Sequence, residues 1–300
     1  MKHTLRVTLL LVGMFIVSQL IGLGILGQYV DKPALEQGKV TFSELPYVER
    51  PQMEETESFW FILGALLAGT LLVLVLIAFR RIWLWKLWFF LSVLFCLTVA
   101  LAAFLEPVAA LVLAAMLAWL KLFKPHVLVH NLTELLIYPG LAAIFVPVLS
   151  VRVMFLLLVI ISLYDFYAVW QSKHMVKIAE FSKETNVFAG LNIPYPSKKK
   201  GQKKIPMDKR SSLPAVGMKN ALLGGGDIGF PLLFTGAVFK GLVLEHGLWE
   251  GFLRALPIPF VAGLALFLLF VYGKKDRYYP AIPFLTLGCA LGWLIVYFVG

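Results

Sequence analysis

Residues 153–172 read VMFLLLVIISLYDFYAVWQS, twenty positions without Lys, Arg or Glu and with one carboxylate, Asp165. At about 1.5 Å of rise per residue such a run reaches across the roughly 30 Å hydrocarbon core of a bilayer as a helix. Its apolar residues are continuous and do not alternate, which excludes a transmembrane barrel strand. Working outward, similar runs occupy 5–29, 58–79, 83–105, 107–122, 128–150, 217–239, 252–272 and 279–299. The reading is an all-α polytopic membrane protein of nine transmembrane helices. Helices 1–6 fall within 1–172, a basic loop within 173–214, and helices 7–9 within 215–300.

Composition agrees. The 300 residues are 60% hydrophobic and 15% charged, with a mean hydropathy of +0.85, whereas soluble proteins carry about 25% charged residues. Soluble catalytic and nucleic-acid-binding domains are excluded, so no nucleic-acid partner is expected despite the net charge of +10. Cys96 and Cys289 both lie in apolar runs, which supports neither a disulfide framework nor a cysteine metal site.

The cations set the orientation. With nine spans, the N-terminus and the loops after spans 2, 4, 6 and 8 share one side and carry 21 of the 27 Lys and Arg, Lys121 and Lys124 at the end of span 4 among them. The positive-inside rule then puts the N-terminus in the cytoplasm and the C-terminus outside. The loop containing Lys198, Lys199, Lys200, Lys203 and Lys204 lies inside, where it is attracted to anionic headgroups of the bilayer.

A carboxylate inside a span is costly unless paired, protonated or hydrated, which makes it a functional candidate. Of 17 acids, Glu134, Asp165 and Asp227 are the ones placed within spans. Asp165 precedes Lys173 by eight residues and Asp227 follows Lys219 by eight, so on two antiparallel helices each lies about 12 Å from the cytoplasmic boundary. Two carboxyl groups in contact share one proton near neutrality and so supply a general base and a general acid together. Such a pair activates water against a peptide carbonyl without metal or cofactor. Three glycines, Gly224, Gly225 and Gly226, precede Asp227 and let another backbone approach closely.

Tyr164-Asp165, then Gly224-Gly225-Gly226-Asp227, then Pro280-Ala281 resemble the three motifs of the intramembrane aspartyl protease family of presenilin and signal peptide peptidase, most of all its archaeal presenilin homologues. Ile282 stands where that family usually has Leu. The resemblance implies a multi-pass protein of the cell membrane with Asp165 and Asp227 as the catalytic pair. Tyr164, the three glycines, Pro280, Ala281 and Ile282 would shape the substrate site. The implied substrates are transmembrane helices of single-pass proteins, unwound locally before hydrolysis. The segment Asn186–Ile193 has the composition of a strand that orders beside an extended substrate, or of an interfacial loop anchored by Phe188 and Tyr195.

Two rivals share these residues. A proton- or cation-coupled transporter, or a leak channel, also uses paired intramembrane carboxylates, although no internal repeat of the transporter kind is apparent. A metalloprotease is suggested by His126, His130 and Glu134 at i, i+4, i+8, but H-E-x-x-H is missing. Glu134 is left with two roles, a hydrogen bond inside the bundle or a place on a water-filled path.

Overall fold

The computed structural model describes residues 4–50, 53, 55–79, 81–170, 187–196, 218–273 and 279–299. The helices are α1 (Leu5–Tyr29), α2 (Lys32–Glu36), α3 (Glu55–Ala78), α4 (Ile82–Ala102), α5 (Pro107–Phe123), α6 (Val127–Phe145), α7 (Val151–Trp170), α8 (Gly225–His246), α9 (Leu248–Ala255), α10 (Pro257–Tyr272) and α11 (Ile282–Val299). Strands β1 (Gly190–Pro196) and β2 (Met218–Gly224) form an antiparallel pair in the register Gly190 to Gly224.

Helix boundaries follow local chemistry. Glu106 caps α5 by accepting from the Val108 and Ala109 N–H groups at 3.2 and 3.4 Å, and Pro107 follows at the position where its missing donor costs nothing. His126 caps α6 through Nδ1, which accepts from Leu128. Most expected spans agree with the observed helices to within about three residues.

Two spans differ. The seventh was expected as a helix over 217–239, yet residues 218–224 are strand and the helix begins at Gly225. β1 offers residues 218–224 a hydrogen-bonded partner, and Gly224 serves as the N-cap from which the helix starts. Depth counted at helical rise from Lys219 therefore does not hold for Asp227, which lies in the first turn of α8. The eighth, expected over 252–272, is two helices, because Pro257 opens α10 directly after α9.

The stretch expected as a basic loop over 173–214 carries β1. Its lysine run, residues 198–204, lies outside the described residues. Among the described residues, seven helical stretches are long and apolar enough to cross a membrane: Leu5–Tyr29, Glu57–Leu76, Ile82–Ala102, Val127–Val148, Val151–Ala168, Gly225–His246 and Leu248–Tyr272. Pro107–Phe123 and Ile282–Phe298 are shorter apolar helices.

The core is built around α1, which packs on α6, α8 and α10 with Leu11, Phe15, Leu23 and Leu26 fully buried. α10 and α11 approach closely because a Cβ at Gly288 or Gly292 would meet the α10 backbone at 2.7 or 2.6 Å. The rings of Phe155 (α7), Phe234 (α8) and Trp293 (α11) lie 6.4 Å apart, pair by pair. α3, by contrast, leaves Trp60, Leu67 and Leu71 exposed on its outer surface.

Candidate active site

Asp165 sits near the C-terminal end of α7 and is buried, with 8% of its surface exposed. Three residues earlier on the same face, Ser162 hydrogen-bonds Thr286 of α11 at 2.8 Å. One turn toward the start of α11 the Ile282 N–H donates to Asp165 Oδ2 at 3.4 Å. Ile282 is the first residue of that helix, so the carboxylate faces unsatisfied N–H groups and the positive end of the helix dipole. Pro280 is buried and Ala281 half-buried beneath this contact. Ile282 thus acts on Asp165 through its backbone.

Asp227 occupies the third position of α8, with Gly224 as the N-cap. Its Oδ2 lies 3.3 Å from the place a Gly224 Cβ would take, so the half-buried carboxyl group folds back toward the helix start. Pro231 supplies no helical N–H to the Asp227 carbonyl, and the first turn is tied to α1 by Gln19 Nε2, which donates to the Ile228 carbonyl at 2.9 Å. A Cβ on Gly225 would meet Tyr138 Oη at 2.6 Å, so this glycine is required by the phenol packed against it. At Gly226 the nearest atom, in Phe230, would be 3.4 Å away, an ordinary contact.

α7 and α8 pack together. Counting from the Phe155–Phe234 contact, Asp165 lies ten residues along α7 and Asp227 seven residues back along the antiparallel α8, or about 15 and 10 Å in the same direction. The aspartates therefore occupy the same end of the helix pair. Tyr164, expected to shape the site, is 53% exposed on the outside of α7 and is not part of this cluster. A cavity of about 390 Å³ beside Asp227 is lined by Tyr138, Leu141, Ala189, Gly225, Gly229 and Leu233, which suits an apolar side chain.

Glu134 is engaged by hydrogen bonds on both of its oxygens. Its Oε1 accepts from Lys121 Nζ at 2.6 Å, and its Oε2 accepts from the Tyr138 hydroxyl and from the Gly190 N–H, the latter at 2.8 Å. His130 donates from Nε2 to the Gly190 carbonyl at 2.8 Å, so its Nδ1 is the acceptor for Lys121 at 3.2 Å and the ring is neutral. His126 is occupied as the α6 cap. Of the two roles open for Glu134, the structure takes the hydrogen bond inside the bundle. Lys121, counted from sequence among the loop cations, is buried with it. The lone Glu134 within a span was the signal that some cation had to be nearby; Asn131 and Tyr138 gave none.

The whole arrangement can be compared with known proteins. The family model described as signal-peptide peptidase, presenilin aspartyl protease matches residues 12–300. None of the curated proteins is a significant match. Two solved structures, both described as a presenilin family intramembrane aspartate protease in different crystal forms, share the fold. One has a TM-score of 0.62 at 22% identity, covering 98% of this chain and 99% of its own. The other has a TM-score of 0.59 at 20% identity, covering 99% and 98%.

Proposed function

Since the chain belongs to the signal-peptide peptidase and presenilin family of aspartyl proteases, we propose that Asp165 and Asp227 are its catalytic pair. The protein is a multi-pass membrane protein and an intramembrane aspartic endopeptidase. The observation that carries the assignment is the position of both carboxyl groups at one end of the packed α7 and α8, each beside a helix N-terminus.

When the two groups meet over a substrate they share one proton. The ionised group takes a proton from water as its oxygen attacks the peptide carbonyl, and the protonated group donates to the carbonyl oxygen. Collapse of the resulting diol returns one proton to a carboxylate while the other carboxyl group protonates the departing amine nitrogen. One water is consumed, and the products are a new acid and a new amine.

The substrates in this reading are transmembrane helices of single-pass proteins. A helical carbonyl is hydrogen-bonded and wrapped by side chains, so the segment has to be extended before attack. The antiparallel register supports a place for it. The Gly225 N–H donates to the Ala189 carbonyl at 3.2 Å, so alternate residues 219, 221 and 223 face β1 and residues 220, 222 and 224 face outward. An extended chain added at that outer edge runs directly past Gly224 and Asp227. The cavity lined by Tyr138 and Gly229 then receives one of its side chains.

We extend the reading to the whole chain as nine spans, the seven long apolar helices with Pro107–Phe123 and Ile282–Phe298. The N-terminus is inside and the C-terminus outside. Helices 1–6 and 7–9 are joined through residues 173–214, whose lysines meet anionic headgroups.

The deciding experiment is cleavage of a transmembrane substrate by purified protein in vesicles, with products identified by mass spectrometry. Asp165→Asn and Asp227→Asn are each expected to abolish cleavage while leaving the thermal midpoint in place. Cleavage surviving either substitution overturns the assignment.

A further inference from the structure

β1 has two edges, and β2 covers one of them. By the same alternation, Gly190, Asn192, Pro194 and Pro196 turn their backbone groups away from β2. At Gly190 and Asn192 both outward backbone groups are already bonded. The Gly190 N–H and carbonyl are held by Glu134 and His130, both at 2.8 Å. The Asn192 N–H donates to Asn131 Oδ1 at 2.9 Å, and its carbonyl accepts from Asn131 Nδ2 at 2.8 Å. Pro194 and Pro196 have no N–H to offer, and prolines are tolerated on an edge that no strand needs. Three side chains from one helix therefore copy the hydrogen-bonding pattern of a neighbouring strand.

We propose that Asn131, His130 and Glu134 of α6 act as a surrogate strand that seals the outer edge of β1 at Gly190 and Asn192, so that an extended substrate is directed to the other edge of the sheet, that of β2 beside Asp227. They are positioning residues that fix which peptide bond is presented for hydrolysis. The inference rests on the catalytic assignment of Asp165 and Asp227.

Physical logic ties the parts together. Backbone groups that are already bonded cannot pair with a further strand, so the sealed part of the β1 edge turns an extended segment away. A sheet open on both sides would accept substrate at either edge, and only one passes the aspartate. Lys121 completes the device. It neutralises Glu134 at 2.6 Å and, by donating to His130 Nδ1, fixes the tautomer that presents Nε2–H to Gly190. Gly190 itself, at φ +135°, leaves no room for a Cβ, which would fall 2.2 Å from the Leu223 carbonyl oxygen. The strand is thereby seated against both α6 and β2.

The test uses purified full-length protein in vesicles and a single-helix substrate, reading KM, kcat and the masses of all products. Asn131→Leu removes both bonds to Asn192 at a half-buried position while keeping similar volume. Cleavage is expected to spread from the principal bond to its neighbours, with KM raised about tenfold, the weight of two hydrogen bonds, and kcat changed much less. If Asn131→Leu does not fold, Asn131→Ala is read by the same criteria. A folded variant that cuts the same bond with unchanged KM overturns the proposal. Failure of the catalytic assignment is separately visible, as activity persisting in Asp165→Asn or Asp227→Asn.

Discussion

The backbone N–H of Ile282 donates to Asp165 Oδ2 at 3.4 Å across the α7–α11 interface. A residue 117 positions away in sequence thus orients the carboxyl group, and it does so without its side chain. This explains how Ile serves at position 282, where Leu is usual in proteins of this kind: the contact needs a helix start at that point, which Pro280 and Pro283 on either side favour.

Ile282→Pro removes that donor while leaving the helix start intact, since proline is well suited to the first helical position. The loss of one hydrogen bond to a charged group is expected to lower kcat about tenfold. KM and the thermal midpoint should stay near those of the parent. Initial-rate kinetics on the purified variant provide the check, and an unchanged kcat would detach this bond from the chemistry.

Gly225 and Gly226 should respond differently to one added methyl group. Gly225→Ala drives a Cβ to 2.6 Å from Tyr138 Oη, and Tyr138 cannot simply swing aside because Glu134 holds its hydroxyl. Overpacking of this kind costs about 1–3 kcal/mol. Gly226→Ala meets only Phe230, at 3.4 Å, and gains helix propensity of up to about 1 kcal/mol, so its stability should equal or exceed the parent's. Denaturation of the two variants in the same detergent compares them directly.

The Lys121–Glu134 pair is 2% and 1% exposed, so cutting one partner strands the other. Lys121→Met is expected to lose about 3–5 kcal/mol, and adding Glu134→Gln should recover a substantial part of that. A double-mutant cycle of unfolding free energies measures the coupling. If the single and double variants are equally unstable, the ion pair is not the source of the loss.

Phe234 is fully buried and touches the rings of both Phe155 and Trp293. Phe234→Ala should destabilise the protein by about 3–5 kcal/mol through the cavity it leaves. Because the same contact aligns the two helices that carry the aspartates, kcat should fall together with stability. Phe234→Leu, which fills most of the volume, should restore both in parallel.

Membrane residence, the approximate spans and the three short motifs were legible in the chain, because hydrocarbon imposes continuous apolar runs and isolates the few carboxylates left inside them. Glu134 was visible in the same way as an expensive residue, but its purpose was not. Residues 218–224 read as the start of a helix, since Met218, Ala221, Leu222 and Leu223 suit either state and only the partner strand at 190–196 selects between them. Lys121 looked like a boundary cation, because nothing local indicates that α5 and α6 bring it to within 2.6 Å of Glu134.

Sequence by itself determined the solvent in which this protein lives and the chemical groups available to it, because transfer free energies are properties of single side chains. Tertiary structure alone decided which of those groups meet: the Ile282 N–H with Asp165, Tyr138 with Gly225, and Glu134 with Lys121 and the Gly190 N–H. Such contacts depend on how helices far apart in the chain turn toward one another, a property of the packed bundle that no single segment carries.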